Sequence, residues 1–347
     1  MTRTYAAHAR PLWQRVLLTR EFAVIGLLVV VAVYATAAVP NFDGPLTLPY
    51  LILDLTPILL IALPMTLVIV TGEIDLSVAS VVGLSSVLVG LLQEHGMSIP
   101  VAGLVALLVG VLCGLVNGFL VAYVGLPSLA VTIGTLALYR GIAVGLLGTR
   151  AVTDFPFTWT NLAQERIGGS QFPVVVIPIV VLAVVFAVLL HFTSFGRGVF
   201  DIGLNDQVAV FSGVNVARTK LVLFVLTGVV SAFAGIYYTL RYGSARGDNA
   251  TGLELEVIAA VLLGGVSIFG GRGALHGVIA GVLLIGVVQS ALRLENVTDN
   301  IINIIIGVLL VLSVTSTSFL AWASGLRRLP GMRKRDQVGP RQRPTAA

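Results

Sequence analysis

Cysteine, lysine and histidine are scarce in this chain of 347 residues. The single cysteine, Cys113, lies inside an apolar run, which leaves neither a disulfide framework nor a cysteine-based metal site. His8, His95, His191 and His276 are scattered, with no H-E-x-x-H and no ligand spacing, so metal catalysis has no support. Phosphate loops need G-x-x-x-x-G-K-[ST], but the only lysines are Lys220 and Lys334, and neither follows a glycine. Nucleotide hydrolysis has no site here, and no Ser/His/Asp set can be assembled. Charge is scarce too, at 11% of residues, against roughly 25% in ordinary soluble domains.

What fills the chain instead is apolar sequence: 57% of residues are hydrophobic and the mean hydropathy is +1.00. Runs of about 20 residues recur, each long enough to cross roughly 30 Å of hydrocarbon as a helix, and no sizeable water-soluble domain fits between them. The reading is an all-α polytopic membrane protein with about ten spans, near 22–39, 50–70, 75–92, 98–122, 127–147, 173–192, 221–240, 255–270, 275–293 and 298–319. The expected organisation is an N-terminal segment 1–21, a transmembrane body 22–319 with its longest loop at about 193–220, and a basic, unstructured tail 320–347. The first run, followed by "YATAA", resembles a signal peptide, but its long basic lead and its length argue for a retained span.

The excess of 21 Lys+Arg over 16 Asp+Glu could suggest a polyanion partner, yet four cations precede residue 21 and seven crowd the tail. Basic ends of membrane proteins set orientation, so no nucleic acid is expected. With ten crossings, the side of the termini carries 15 cations and the other side five, Arg150, Arg166, Arg241, Arg246 and Arg293, with Arg140 inside a span. That split places both termini in the cytoplasm. Five helices is an odd number, so two halves of opposite orientation are allowed.

Three stretches stand out. "TGEIDLSVAS", residues 71–80, puts Glu73 and Asp75 in a very short break between two apolar runs. Asp75 or Ser77 could cap the third span, or the break could be polar backbone tolerated beside a water-filled path. Within residues 192–220, Asn205 is a good N-cap, Asp206 sits in the first turn, Gly213 is placed to stop a short helix, and Val208 and Phe211 would share its exposed apolar side. Such a helix could lie on the lipid surface or enter a groove on a partner. The glycine-rich "LLGGVSIFGGRGALHG", residues 262–277, reads as a tight turn with Arg272 at the membrane surface. Asp54, Asn117, Arg140, Gln289 and Asn303 are polar groups within spans, and Asp54 with Arg140 could form a buried ion pair.

Taken in order, "LPMTLVIVTGEIDLSVASVVGLSSVLVG", "VNGFLVAYVGLPSLAVTIGTLALYRGIA", "FGRGVFDIGLNDQVAVFSGVNVARTK" and "GLELEVIAAVLLGGVSIFGGRGALHGVIAGVLLIGVVQSAL" resemble the permease subunit of ribose/rhamnose-type ABC importers, over about residues 45–318. The resemblance implies a ten-helix permease of the bacterial inner membrane. It implies pairing with a second permease copy or paralogue, cytoplasmic ATPase subunits holding ATP and Mg, and an extracytoplasmic sugar-binding protein; this chain itself holds no cofactor and catalyses no reaction. It makes Asn205, Asp206, Val208, Phe211, Ser212 and Gly213 part of a coupling helix on the ATPase, and Glu73, Asp75, Asn117 and Arg140 candidates for the gate. On the outer face, Arg150, Arg166, Arg241 and Arg246 become candidates for docking the binding protein. The family's usual Gly-Gly-Ile-Asp-Leu-Ser is Gly72-Glu73-Ile74-Asp75-Leu76-Ser77 here, which looks like the rhamnose or autoinducer-2 branch. Within the class, ribose, nucleoside and branched-chain amino acid permeases are alternatives. Outside it stands an ion-coupled secondary transporter using Glu73, Asp75 and Asp54.

Overall fold

The computed structural model describes residues 19–309 together with Val311 and Thr315. Residues 1–18, most of the expected N-terminal segment, lie outside the described residues, as do the tail and much of the tenth expected span. Thirteen α-helices are described: α1 Arg20–Ala38, α2 Thr47–Val70, α3 Val78–Glu94, α4 Ile99–Ala122, α5 Ser128–Leu147, α6 Phe157–Leu162 and α7 Val176–Phe192, then α8 Ser194–Leu204, α9 Asp206–Phe211, α10 Val216–Tyr242, α11 Leu253–Leu263, α12 Leu275–Leu294 and α13 Asp299–Leu309. No strand occurs among the described residues; the only bridges are the isolated pairs Val152 with Ala245 and Arg166 with Pro173.

Among the described residues six helices, α1, α2, α4, α5, α10 and α12, are long and apolar enough to cross a membrane, and α7 with α8, bent by 67° at Thr193, makes a seventh if counted as one. Each expected apolar segment contains a described helix, but α3 and α11, at 17 and 11 residues, are too short to count as spans by themselves. The expected span at 255–270 is the clearest departure. Its helix stops at Leu263 after 11 residues, about 16 Å of rise. The chain then turns through Gly265, Gly270 and Gly271, all at positive φ, a conformation that cannot continue a right-handed helix.

α2 and α10 form the centre. α10 packs against α2, α3 and α4, while α12 packs against α1, α2 and α11. α2 is enclosed along most of its length, whereas α1, α4, α5 and α7 turn side chains such as Val30, Leu104, Ile133 and Val181 outward. An apolar surface of that extent belongs against lipid. α2 contains Pro57 and Pro64. Pro57 has no N–H, so the Leu53 carbonyl loses its helical donor, and the Tyr237 hydroxyl of α10 donates to it instead at 2.9 Å. A neighbouring helix thus repairs the bond that proline removed, as hydrocarbon requires.

Hydrophobicity cannot draw helices together inside lipid, so packing depends on close backbone approach. α4 and α10 meet through Gly110 and Gly114 on one side and Gly228 on the other; a Cβ on Gly110 would stand 2.6 Å from the Gly228 carbonyl oxygen, and one on Gly228 would strike the Gly110 carbonyl. Gly134 on α5 has nothing within 4 Å of a built Cβ. Gly228→Ala is therefore expected to lower the thermal stability of the detergent-solubilised chain by about 1–3 kcal/mol, the usual cost of overpacking. Gly134→Ala should leave the melting temperature unchanged or slightly raised, and equal behaviour of the two variants would contradict this packing.

Candidate functional site

α8 overturns one expectation: residues 194–204, read as loop, are helical. Thr193 caps that helix by accepting from the Gly196 amide at 3.1 Å, and the fold then turns at Asn205. Asn205 Oδ1 accepts from the Gln207 and Val208 amides at 2.9 and 3.0 Å, α9 follows, and Gly213 stands at φ +84° just beyond its end. Asn215 caps α10 by accepting from the Arg218 amide at 3.0 Å. The side chains of Val208, Val210 and Phe211 stand out from α9, with Phe211 89% exposed. Ser212 donates back to the Val208 carbonyl at 3.0 Å.

Beneath α9 lies Lys220, in the first turns of α10. Its Nζ stands 2.7 Å from Asp206 Oδ2 on α9 and 2.7 Å from Glu73 Oε1 in the break between α2 and α3. A cation near a helix N-terminus opposes the helix dipole, and two carboxylates offset that. The Lys220 and Glu73 side chains are only 11% and 16% exposed, so the pair is sheltered enough for its charge to matter.

The break itself is fastened to three more helices. Asp75, 2% exposed, accepts at Oδ1 from the Ser77 amide (2.9 Å) and hydroxyl (2.7 Å). Its Oδ2 faces the Thr227 hydroxyl of α10 at 3.1 Å. Asn117 of α4 donates from Nδ2 to Ser77 Oγ at 2.8 Å, and its Oδ1 is buried without a partner. From α5, Ser128 Oγ accepts from the Ile74 amide at 3.2 Å and Thr132 donates to the Ile74 carbonyl at 3.1 Å. Ser77, rather than Asp75, holds the N-cap position of α3, and its side chain makes no capping bond. Asp75 therefore orders the break and holds it to α10. Among the described residues no cation lies within ion-pair distance of Asp75, so hydrogen bonds alone offset the cost of burying its carboxyl.

The glycine-rich turn after α11 closes the same end. Gly271 donates its amide to the Val70 carbonyl at the end of α2 at 2.8 Å, and Gly203 of α8 packs onto both groups with no room for a Cβ. The end of α2, the end of α8 and the 264–274 turn thus share one contact, with Phe269 exposed beside it.

The expected outer cations gather at the other end of the bundle. Asp54 and Arg140 do not meet: Arg140 donates to the carbonyls of Gly247 (2.8 Å), Asn249 (2.7 Å) and Ala79 (3.1 Å), holding the α10–α11 loop in the bundle. Asp54 Oδ1 instead pairs with Arg241 at 3.3 Å, and its Oδ2 lies 4.0 Å from Arg293. The sequence suggested Arg241 on a free outer surface, but its side chain is 11% exposed and its Cζ lies 5.5 Å from the ring centroids of Tyr50 and Tyr242. Arg150 pairs with Glu94 at 2.7 Å. Arg246 sets two hydrogen bonds on Asp248, which holds that carboxyl below the usual range. Arg166 lies in the segment between α6 and α7, Gln289 Nε2 reaches Glu256 Oε2 at 3.4 Å, and Asn303 is exposed on α13. No three His, Cys, Asp or Glu side chains converge as a metal site among the described residues.

Sequence reasoning missed Lys220 as a site residue, and Thr227, Ser128 and Thr132 with it. A signal for Lys220 was present: one of two lysines in an arginine-rich chain, standing where an apolar span begins. The three threonine and serine side chains carry no such mark, because hydroxyls are common in packed membrane helices.

A helical bundle of many apolar helices, with a short exposed helix ion-paired to a break between two of them, has the architecture of a polytopic membrane protein. The chain belongs to the family described as the permease component of branched-chain amino acid transport systems, which matches residues 47–314. It is 38% identical over 265 residues to the autoinducer 2 import system permease protein LsrD of Yersinia enterocolitica, covering 75% of this chain and 80% of that one. The protein of the same name from Escherichia coli K12 is 36% identical over 304 residues, 86% of this chain and 92% of the other. No solved structure matches.

Lys220→Met would leave Glu73 and Asp206 facing each other uncompensated. Amide exchange across residues 206–213 should then accelerate by about tenfold, the equivalent of roughly 1.4 kcal/mol, while exchange in the middle of α4 stays unchanged. Unaltered exchange at α9 would show that the bridge carries no structural weight.

Proposed function

We propose that this chain is the membrane-spanning subunit of an ATP-driven importer for a small polar solute, with autoinducer 2 the favoured cargo. The observation that carries the reading is α9: a capped, six-residue helix that exposes Val208, Val210 and Phe211 while Asp206 is tied inward through Lys220. A partner ATPase, holding ATP and Mg, would receive that apolar face in a groove. This chain then performs no chemistry of its own. Motion of α9 would pull on Lys220, and through Glu73 on the break that Asp75, Ser77 and Asn117 hold against α10 and α4.

The relatives' names support autoinducer 2 over the rhamnose-like sugar favoured by sequence alone. The cation distribution supports both termini in the cytoplasm of a ten-span chain, and the relatives' permease names support residence in a bacterial inner membrane. Lys220 and Arg272 stand at the α9 end, and Arg150, Arg241, Arg246 and Arg293 at the other. A second permease copy or paralogue would complete the pathway, and two five-helix halves of opposite orientation would suit alternating access. On the outer face, Arg150, Arg166 and Arg246 remain the cations able to meet acidic groups of a binding protein, whereas Arg241 is committed internally.

Proteoliposomes holding this permease with its partner permease and ATPase should take up autoinducer 2 from its binding protein only when ATP is supplied. Phe211→Asp should cut that uptake by about tenfold or more, as removal of an interface anchor does, without reducing the amount of chain in the membrane. Uptake by the permease alone under a proton gradient would overturn the reading in favour of an ion-coupled carrier.

A further inference from the structure

At the α9 end of the bundle, α8 leaves α7 at a 67° bend and packs inward through Gly196, Gly198, Val199 and Ile202. Between it and the first turns of α10 opens a cleft of about 620 Å³, within the roughly 300–1,000 Å³ span of small-molecule sites. Arg197 and Asp201 of α8 and Arg218 of α10 line it, and the half-buried Phe195 and Val222 add apolar surface.

These charges serve no purpose within the chain. Arg197 and Asp201 stand at the i, i+4 spacing of a helical ion pair, yet no such pair forms. Among the described residues no carboxylate lies within ion-pair distance of Arg197 or Arg218, whereas Arg150, Lys220, Arg241, Arg246 and Arg293 each have one. The cleft therefore offers two guanidiniums and one carboxylate, a surplus of one positive charge beside apolar side chains.

That combination narrows the ligand. Guanidinium suits the oxygens of a phosphate, and a surplus of one charge matches a phosphodiester. The remaining carboxylate can accept from a hydroxyl or an ammonium, and the apolar side chains suit the start of an acyl chain. α7 turns Val181, Val185 and Phe192 outward as a lipid-facing helix does, and Phe192 stands one residue before the bend. The cleft thus lies where the apolar face of α7 ends, the level at which basic pockets between spans receive lipid headgroups.

We propose that this cleft holds the headgroup of one membrane phospholipid, with Arg197 and Arg218 on its phosphodiester and Asp201 accepting from a donor beyond the phosphate. Phosphatidylglycerol and phosphatidylethanolamine carry such a donor; phosphatidylcholine does not. Val208, Val210 and Phe211 lie outside the cleft, so lipid and a partner on α9 use separate faces. The proposal is independent of the import reading and of ATP.

Native mass spectrometry of the detergent-solubilised full-length permease, offered equal amounts of the three lipids, tests it. One phosphatidylglycerol or phosphatidylethanolamine should be retained severalfold in preference to phosphatidylcholine. Arg197→Gln combined with Arg218→Gln should abolish that preference at an unchanged melting temperature. Arg272→Gln, which removes a cation at the same end but outside the cleft, should leave it intact. Equal retention of all three lipids, or an equal loss in Arg272→Gln, would overturn the site. Millimolar sn-glycerol 3-phosphate should not displace the lipid; displacement would assign the cleft to a free phosphate compound and overturn the lipid as its occupant.

Discussion

Lys220 holds together two carboxylates from different parts of the chain, and the organisation of the α9 end depends on it. Without a cation between them, Glu73 and Asp206 would repel, with the cost greater at Glu73, whose side chain is 16% exposed against 51% for Asp206. With it, a surface helix and a break between two spans become one unit. The same end is closed by the contact among Val70, Gly203 and Gly271, which brings α2, α8 and the 264–274 turn within backbone distance. Lys220, Glu73 and Asp206 answer one another across separate elements, and Asp75 is met by Thr227 of α10, because hydrocarbon offers no water in exchange.

The two ends of the bundle solve different problems with similar residues. At the α9 end, charge sits on a surface helix, the break between two spans and the start of α10, and it links them. At the other end, Arg140 spends its donors on three backbone carbonyls and Arg241 on Asp54 and Gln164, so those cations fix loops and spans in place. Between the ends, Tyr237 on Leu53 and the glycine contact of α4 with α10 keep the central helices aligned. Such an arrangement would suit the ATP-driven import proposed above, since force applied at α9 would reach the break through Lys220 and Glu73.

Much of this could be read from the residues. Asn205 announced its helix, Gly213 its end, and the apolar runs announced the spans, because capping and hydrophobic length are local properties. The break at 71–77 was legible as a break, but its partners were not. Thr227 lies 152 residues from Asp75 and Lys220 lies 147 from Glu73 along the chain, and no local pattern reports such distances. The partner of Asp54 was open for the same reason: Arg140 and Arg241 are both plausible cations in sequence, and only packing selects Arg241. α8 was passed over because its glycines suggest loop, whereas Gly203 is there for a close approach. The half-length α11 was taken for a full span because apolar residues continue past Leu263 through glycines that turn the chain.

The claim at the centre of this account is that Lys220 transmits movement of α9 to the break through Glu73. A double-mutant cycle in the reconstituted importer tests it most directly, with solute moved per ATP hydrolysed as the readout for Lys220→Met, Glu73→Gln and the two combined. If the bridge is the link, both single variants lower that ratio and the double variant is no worse than Lys220→Met alone. Losses that multiply in the double variant, or single variants with wild-type ratios, would contradict it.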